Sequence, residues 1–242
     1  MPILTTRCVV LKTHRYSDTS KILRLMTREK GPVSALARGA LRPRSPISGL
    51  VEPFAEGEAT IYMKRNRDLQ TLSSFELLRE RQGLGIDLER FAGASVLCEL
   101  VLRFAPEQRD DRLYDGLTRG LDALLDAPVD RLASTSLATI WDLVRTLGFA
   151  PELDRCLECG RDLGAEEDTR WDPGAGGLRC GSCPGGGVAL GGVEVAELRH
   201  LVGGDSGPLT TAGRQRAVLR DFIRIHPAEG LPLRSLEYLG FE

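Results

Sequence analysis

The chain has 242 residues, of which 42% are apolar and 27% charged, and its formal net charge is −2. This composition is typical of a globular protein and excludes disordered and fibrous classes. No apolar stretch approaches the roughly 20 residues that span a bilayer, and the first ten residues lack a signal-peptide pattern, so we expect a cytoplasmic protein without membrane contact.

Five short runs with strand character occupy the first 80 residues. They cover residues 8–11, 21–27, 33–38, 58–63 and 69–75, and several alternate between apolar and polar positions. Turn sequences separate them, for example Glu29-Lys30-Gly31-Pro32. Because no helical periodicity interrupts them, residues 1–80 are predicted to form a small β-barrel. The five-stranded OB-fold is the common solution, and an SH3-like barrel is the alternative.

The barrel region is basic, whereas the remainder is acidic. Residues 1–82 contain 15 Lys and Arg against 8 Asp and Glu, a net charge of +7, and residues 83–242 carry −9. Cations at loop tips suit a groove that follows a phosphate backbone, although a solvated surface is the alternative. The candidate nucleic-acid-binding residues are Arg15, Lys21, Arg24, Arg38, Arg42, Arg44, Lys64, Arg65 and Arg67.

Aromatic residues are sparse in the same region. Only Tyr16, Phe54, Tyr62 and Phe75 occur there, and at least two of them are expected in the barrel core. Nucleic-acid binding is therefore expected to depend on phosphates more than on base stacking. We expect weak sequence preference and a steep salt dependence.

Helical periodicity replaces the strand pattern after residue 84. Apolar residues recur at helical spacing over residues 88–104, 113–125 and 132–147. The pattern is lost over residues 151–192 and returns over residues 193–202, 211–225 and 233–239, with Thr210 or Thr211 as a helix cap. The prediction is an α+β multidomain chain: an OB-fold at 1–80, a helical domain in two parts at 81–150 and 193–242, and an insertion at 151–192.

The insertion carries two cysteine pairs. Cys156-Leu-Glu-Cys159 is followed, after 20 residues, by Cys180-Gly-Ser-Cys183. Two such knuckles at this spacing indicate a zinc ribbon, because each turn directs two sulfurs towards one point. Four thiolate ligands leave no open coordination position, so one structural Zn²⁺ is predicted rather than a catalytic one. The segment has few apolar residues, and metal binding is expected to supply most of its folding energy.

Motifs of several enzyme classes do not occur in the sequence. There is no phosphate-binding Gly-x4-Gly-Lys-Ser/Thr loop, no Gly-x-Ser-x-Gly and no His-Glu-x-x-His. The three histidines, His14, His200 and His226, are far apart in the chain. The sequence therefore predicts no enzymatic activity. A metal-dependent nuclease remains an alternative, since its acidic ligands need not be adjacent.

Several segments resemble the RecO family of bacterial recombination mediators. They are residues 9–13 (VVLKT), 16–23 (YSDTSKIL), 27–31 (TREKG), 37–40 (ARGA), 50–54 (LVEPF) and 232–237 (PLRSLE), and the four cysteines match the zinc-bearing members. The resemblance covers nearly the whole chain. It implies an N-terminal OB domain followed by a helical domain with an inserted zinc ribbon.

The resemblance also implies a function. A RecO-type protein is a nucleoid-associated non-enzyme that binds single- and double-stranded DNA and anneals complementary strands. With its partner RecR it promotes loading of RecA onto strands coated by single-strand-binding protein (SSB), whose C-terminal tail it contacts. The alternative is a zinc-ribbon adaptor or RNA-binding protein that acts through its basic barrel.

Overall fold

The computed structural model describes residues 2–164, 168–228 and 232–239. The chain divides into two compact units, one formed by residues 1–87 with 97–125 and the other by residues 88–96 with 126–242. No helix of the described residues is long and apolar enough to cross a membrane.

The first unit contains a closed five-stranded barrel. Its strands are β1 (Ile3–Arg15), β2 (Lys21–Thr27), β3 (Gly31–Ala37), β4 (Glu56–Tyr62) and β5 (Leu69–Arg79). They are hydrogen-bonded in the order β1-β2-β3-β5-β4, and β1 also pairs with β4 to close the barrel. All neighbours are antiparallel except β3 and β5. This arrangement confirms the predicted OB-type barrel over the SH3-like alternative.

The strands β1 and β5 are longer than the sequence runs from which they were predicted. The run at residues 8–11 lies inside the 13-residue β1, and β5 continues to Arg79. One half of β1 pairs with β4 and the other half with β2, and the register shifts between Val10 and Lys12. The additional residues are largely polar and face solvent, so they produce no apolar run.

The barrel core is tightly packed around Phe75. A Cβ atom at Gly57 would lie 2.3 Å from the Phe75 ring and 2.5 Å from the carbonyl oxygen of Glu76. Glycine is therefore required at this position of β4, where the strand pairs closely with β5. Phe54 and Phe75 are both buried, which confirms that at least two of the four aromatic residues belong to the core.

A buried arginine connects the barrel to a helix within the first unit. Arg81 donates from Nε to Asp122 Oδ1 (2.7 Å), from Nη2 to Glu56 Oε2 (2.7 Å) and from Nη1 to the carbonyl oxygen of Phe54 (3.1 Å). Its side chain is fully shielded from solvent. Asp122 belongs to α2 (Asp111–Asp126) and Glu56 to β4, so one guanidinium holds two elements of this unit together.

Besides α2, the described residues contain four further α-helices. The first is α1 (Leu88–Phe104), which contributes residues to both units; α3 (Leu132–Thr146), α4 (Gly192–Val202) and α5 (Ala212–Ile225) belong to the second unit. All five helices lie where the periodicity predicted them. The last predicted helix is a short 3-10 turn over Arg234–Tyr238.

The predicted insertion contains a three-stranded sheet. Its strands are β6 (Thr169–Asp172), β7 (Gly177–Cys180) and β8 (Val188–Leu190), in the order β7-β6-β8. Buried Trp171 lies 6.0 Å from Phe222 of α5, between ring centroids. Arg199 of α4 donates to the carbonyl oxygens of Leu153 (2.8 Å) and Leu163 (3.0 Å). Contacts with the second unit's helices therefore also hold the insertion, and the share of its folding energy that metal binding supplies stays a prediction.

A carboxylate of α4 performs the capping predicted for threonine at α5. Thr211 is the N-cap residue, but its hydroxyl donates to Glu197 instead of bonding to the helix backbone. The backbone N–H groups of Thr210 (2.6 Å) and Thr211 (3.1 Å) also donate to Glu197. Partial burial acts to raise the pKa of Glu197, but the Thr211 hydroxyl and the other donors outweigh it, so the pKa is lowered.

Glu197→Gln is expected to destabilise the second unit at neutral pH by about 1 kcal/mol. Because the pKa is lower in the folded state, the carboxylate stabilises the fold above its unfolded pKa of about 4.3, and this contribution is lost as the pH falls below that value. Thermal unfolding of both proteins between pH 7 and pH 3 measures the difference. Glu80→Gln, at an exposed carboxylate without a partner in the described chain, is the control. A difference that does not shrink on acidification would contradict this role of Glu197.

Candidate nucleic-acid interface and metal centre

A basic groove lies on the outer surface of the barrel. It has a volume of about 930 Å³ and runs between the outward face of β2 and β3 and the loop that joins β4 to β5. Five cations line it, against the two carboxylates of Asp68 and Glu107; the cations are Arg24, Lys30, Lys64, Arg65 and Arg67. The excess positive charge suits a polyanion.

Strand alternation places Arg24 in this groove. Leu23 and Leu25 are buried in the core, so Arg24 between them faces outward, as its alternation predicts. Arg24 pairs in register with Lys12 of β1 on one side and with Ser34 of β3 on the other. The face formed by these strands is therefore basic and polar.

The β4–β5 loop is held in shape by a buried glutamine. Gln70 accepts from the backbone N–H of Lys64 at Oε1 (2.6 Å), and its Nε2 donates to the carbonyl oxygens of Lys64 (3.3 Å) and Arg67. Its residue surface is 7% exposed. Sequence reasoning missed Gln70 and also Lys30; a polar residue at the inward position of an alternating strand was the available signal for Gln70.

A second concavity, the loop pocket, lies beside the β1–β2 loop. Its volume is about 510 Å³, and its walls are Tyr16, Thr19, Ser20, Leu36, Arg38, Gly39 and Arg42. Leu36 is two residues from Ser34, which lines the basic groove, and both are half-buried on the outward face of β3. Two residues along a strand span about 7 Å, so the loop pocket and the basic groove adjoin.

The structure separates the nine predicted DNA-contact residues into three sets. Arg24, Lys64, Arg65 and Arg67 line the basic groove, and Arg38 and Arg42 line the loop pocket. Arg15, Lys21 and Arg44 line neither. Arg15 forms an exposed ion pair with Asp18 (3.1 Å), and Lys21 is paired with Glu52 (2.6 Å) with only 13% of its side chain exposed.

The four cysteines of the insertion converge on one point. Cys156, Cys159, Cys180 and Cys183 place their sulfurs within 4.8 Å of one another. A tetrahedral site with metal–sulfur bonds of about 2.3 Å requires sulfurs about 3.8 Å apart. The Cys156 and Cys183 sulfurs are 3.9 Å apart, so this pair already has the separation that such a site needs. The cluster could hold one metal ion.

Local backbone geometry shapes the first knuckle. Gly160 has a φ of +71°, in the left-handed region, and its N–H donates to the carbonyl oxygen of Cys156 (2.9 Å). The second knuckle closes with the N–H of Cys183 donating to the carbonyl oxygen of Cys180 (3.3 Å). These tight turns bring each cysteine pair onto one side of the backbone.

The electrostatics of the cluster favour a bound cation. Burial acts to raise the pKa of Cys156, but the backbone N–H groups of Cys159, Cys180 and Glu158 lower it to about 6. Hydrogen bonds with the sulfurs of Cys180 and Cys159 raise the pKa of Cys183 to about 12, because they stabilise its protonated form and make loss of that proton carry a penalty. A divalent cation removes that penalty, so this donor set fits a metal ion better than four free thiols.

Family comparisons cover almost the entire chain. Residues 1–81 match the family model described as "Recombination protein O N terminal", and residues 86–237 match "Recombination protein O C terminal".

Three similar proteins share one name. The chain is 36% identical over 244 residues to "DNA repair protein RecO" of Anaeromyxobacter dehalogenans (strain 2CP-C), covering 96% of this chain and 95% of that protein. It is 30% identical over 240 residues to the protein of the same name from Heliobacterium modesticaldum (93% and 85% covered). It is 33% identical over 205 residues to the protein of the same name from Nocardioides sp. (strain ATCC BAA-499 / JS614), and the match covers 81% of each protein.

Proposed function

The chain belongs to the RecO family of DNA repair proteins, and from this premise we propose that it binds single- and double-stranded DNA through the barrel and anneals complementary strands. The observation that carries the proposal is the basic groove, with five cations against two carboxylates. The groove lies on the strand 2–3 face and beside the β4–β5 loop, which is where OB-folds bind oligonucleotides.

The charge of the groove gives a physical account of annealing. Two complementary strands repel each other through their phosphates. Lys64, Arg65 and Arg67 lie on an exposed loop and can neutralise phosphates while leaving base edges free to pair. A chain acting in this way supplies binding and charge neutralisation, and it needs no catalytic step. We therefore propose a non-enzymatic mediator that works at the cytoplasmic nucleoid.

The partners in the proposal follow from family membership alone. They are RecR, the C-terminal tail of SSB and, indirectly, RecA. The decisive experiment is annealing of complementary strands pre-coated with SSB, with and without RecR. Acceleration by this protein supports the proposal. Incubating end-labelled DNA with the protein and Mg²⁺ or Mn²⁺ tests the nuclease alternative, for which fragments would appear.

The metal in the proposal is one structural Zn²⁺. Four cysteine thiolates in a closed tetrahedral arrangement are the ligand set that zinc takes in structural sites. Cys156, Cys159, Cys180 and Cys183 would hold it, and the ion would clip the two knuckles of the insertion together. Metal analysis of the purified protein, with one zinc per chain as the expected result, tests the identity of the ion.

Charge reversal in the basic groove is expected to weaken DNA binding and annealing together. For Lys64→Glu/Arg65→Glu/Arg67→Glu, we expect more than about tenfold weaker binding near 100 mM salt and a log–log salt slope for single strands lower by about 2. Fluorescence anisotropy across a salt series measures both quantities. A single-site comparison of Arg65→Glu with Arg112→Glu, at an exposed α2 arginine that lines neither concavity, controls for overall charge. An affinity for DNA that does not change with salt concentration in the unmodified protein would contradict binding through phosphates.

A further inference from the structure

One aromatic ring of the barrel is left exposed beside unpaired cations. Tyr16, in the β1–β2 loop, is 60% exposed, whereas Phe54 and Phe75 are buried. A single exposed aromatic residue is ordinary on a protein surface. Tyr16 differs because it borders the loop pocket together with Arg38 and Arg42. Neither of these exposed guanidinium groups has an ion-pair or hydrogen-bond partner anywhere in the described ranges.

The two loops that carry these side chains are fixed by backbone hydrogen bonds. The N–H of Tyr16 donates to the carbonyl oxygen of Ser20 (3.0 Å), which closes the β1–β2 loop. The N–H of Leu41 donates to the carbonyl oxygen of Thr19 (3.1 Å) and ties the second loop to the first. The N–H of Arg42 donates to the carbonyl oxygen of Gly39 (2.9 Å). The ring and the guanidinium groups therefore project from a preorganised frame.

The loop pocket combines an aromatic ring, an aliphatic wall and two cations. A nucleobase stacks on an aromatic side chain through its π-face, and its flanking phosphates need cations nearby. Resting on the proposed function, we propose that the loop pocket binds one unpaired nucleobase of single-stranded DNA. The base stacks on Tyr16 against Leu36, while Arg38 and Arg42 hold the adjacent phosphates.

This subsite distinguishes single strands from duplexes. In a duplex each base is paired and stacked between its neighbours, so it enters a pocket only at the cost of unpairing and unstacking. The basic groove makes contacts to phosphates, which both forms of DNA offer. Because the loop pocket adjoins the basic groove along β3, a strand anchored by one base continues onto the cations of the groove. Pairing with a complementary strand then withdraws the base from Tyr16.

The test compares Tyr16→Ala with the unmodified full-length protein on three DNAs of equal length. The probes are a single strand, a duplex and a single strand with abasic sites, measured by anisotropy at one salt concentration. Tyr16→Ala is expected to weaken single-strand binding about tenfold. The affinities of Tyr16→Ala for the duplex and for the abasic strand should stay within about twofold of those of the unmodified protein. Tyr16→Phe should keep the full affinity for the base-containing single strand. Tyr238→Ala, which removes a tyrosine that is 54% exposed, is the matched control.

Each outcome decides the proposal. Loss confined to the base-containing single strand supports it, and an equal loss on all three probes or no loss at all overturns it. Thermal unfolding of Tyr16→Ala identifies a folding defect. In that case Tyr16→Phe is compared on two probes: tighter binding of the base-containing strand than of the abasic strand supports the proposal, and equal affinities overturn it. Failure of the unmodified protein to bind any of the three probes would refute the proposed function itself.

Discussion

Replacing Cys156 by serine is expected to abolish metal binding and to unfold the segment around the two knuckles. Cys156 is buried, and three backbone N–H groups stabilise its thiolate, so serine cannot replace it as a ligand. Structural zinc contributes apparent free energies of about 10–16 kcal/mol in zinc-finger peptides near pH 7. Metal analysis should give less than about 0.1 equivalent per chain, and limited proteolysis should cut between residues 151 and 192.

The packing of the insertion limits this effect to a local one. Trp171 contacts Phe222, and Phe222 contacts Trp141 at 5.1 Å between ring centroids, so α3 and α5 keep an apolar core without the metal. The helices should therefore remain folded by circular dichroism. Ser182→Ala, at an exposed residue inside the second knuckle, is the matched control and should keep full metal content. Retention of metal by Cys156→Ser would contradict the four-cysteine site.

Arg81→Ala is expected to destabilise the first unit by about 3–5 kcal/mol. The substitution leaves the carboxylates of Asp122 and Glu56 without their buried cation, and the carbonyl oxygen of Phe54 loses a donor. Removing one partner of a buried ion pair costs more than the pair contributes, because an uncompensated charge stays behind. Urea unfolding followed by near-ultraviolet circular dichroism measures the change.

A neighbouring arginine supplies the control for this prediction. Arg79 binds the same Asp122 oxygen at the same 2.7 Å, but 43% of its side chain is exposed. Because solvent screens an exposed pair, Arg79→Ala should cost less than about 1 kcal/mol. Equal destabilisation by the two substitutions would show that burial of Arg81 adds nothing.

The cation positions show how much of the interface could be predicted from the sequence. Basic residues at turns predicted which segments supply cations to the basic groove and the loop pocket, and Arg24 was placed outward by the apolar residues on either side of it. The sequence could not separate Lys21 from Arg24, since the pairing of Lys21 with Glu52 joins residues 31 apart in the chain. It also left Tyr16 without a role, because nothing local indicates that Leu36, Arg38 and Arg42 lie beside it.

Local chemistry was sufficient to predict the four-cysteine cluster and the helices. Cysteine spacing within a knuckle is set by one turn of backbone, and helical periodicity is set within a few residues, so both were readable from the chain. The strands β6, β7 and β8 were missed because they are only three or four residues long and are separated by glycine-rich loops.

By itself, then, the sequence determined the five-stranded basic barrel, the positions of the helices and the four-cysteine cluster. Tertiary structure alone decided which cations share a groove, that a carboxylate of α4 caps α5, and that Trp171 packs on Phe222. The physical reason is the separation in sequence between the residues that interact. Turns, alternation and ligand spacing depend on neighbours a few residues apart, whereas barrel closure brings Arg24 and Arg65 to one groove from 41 positions apart in the chain.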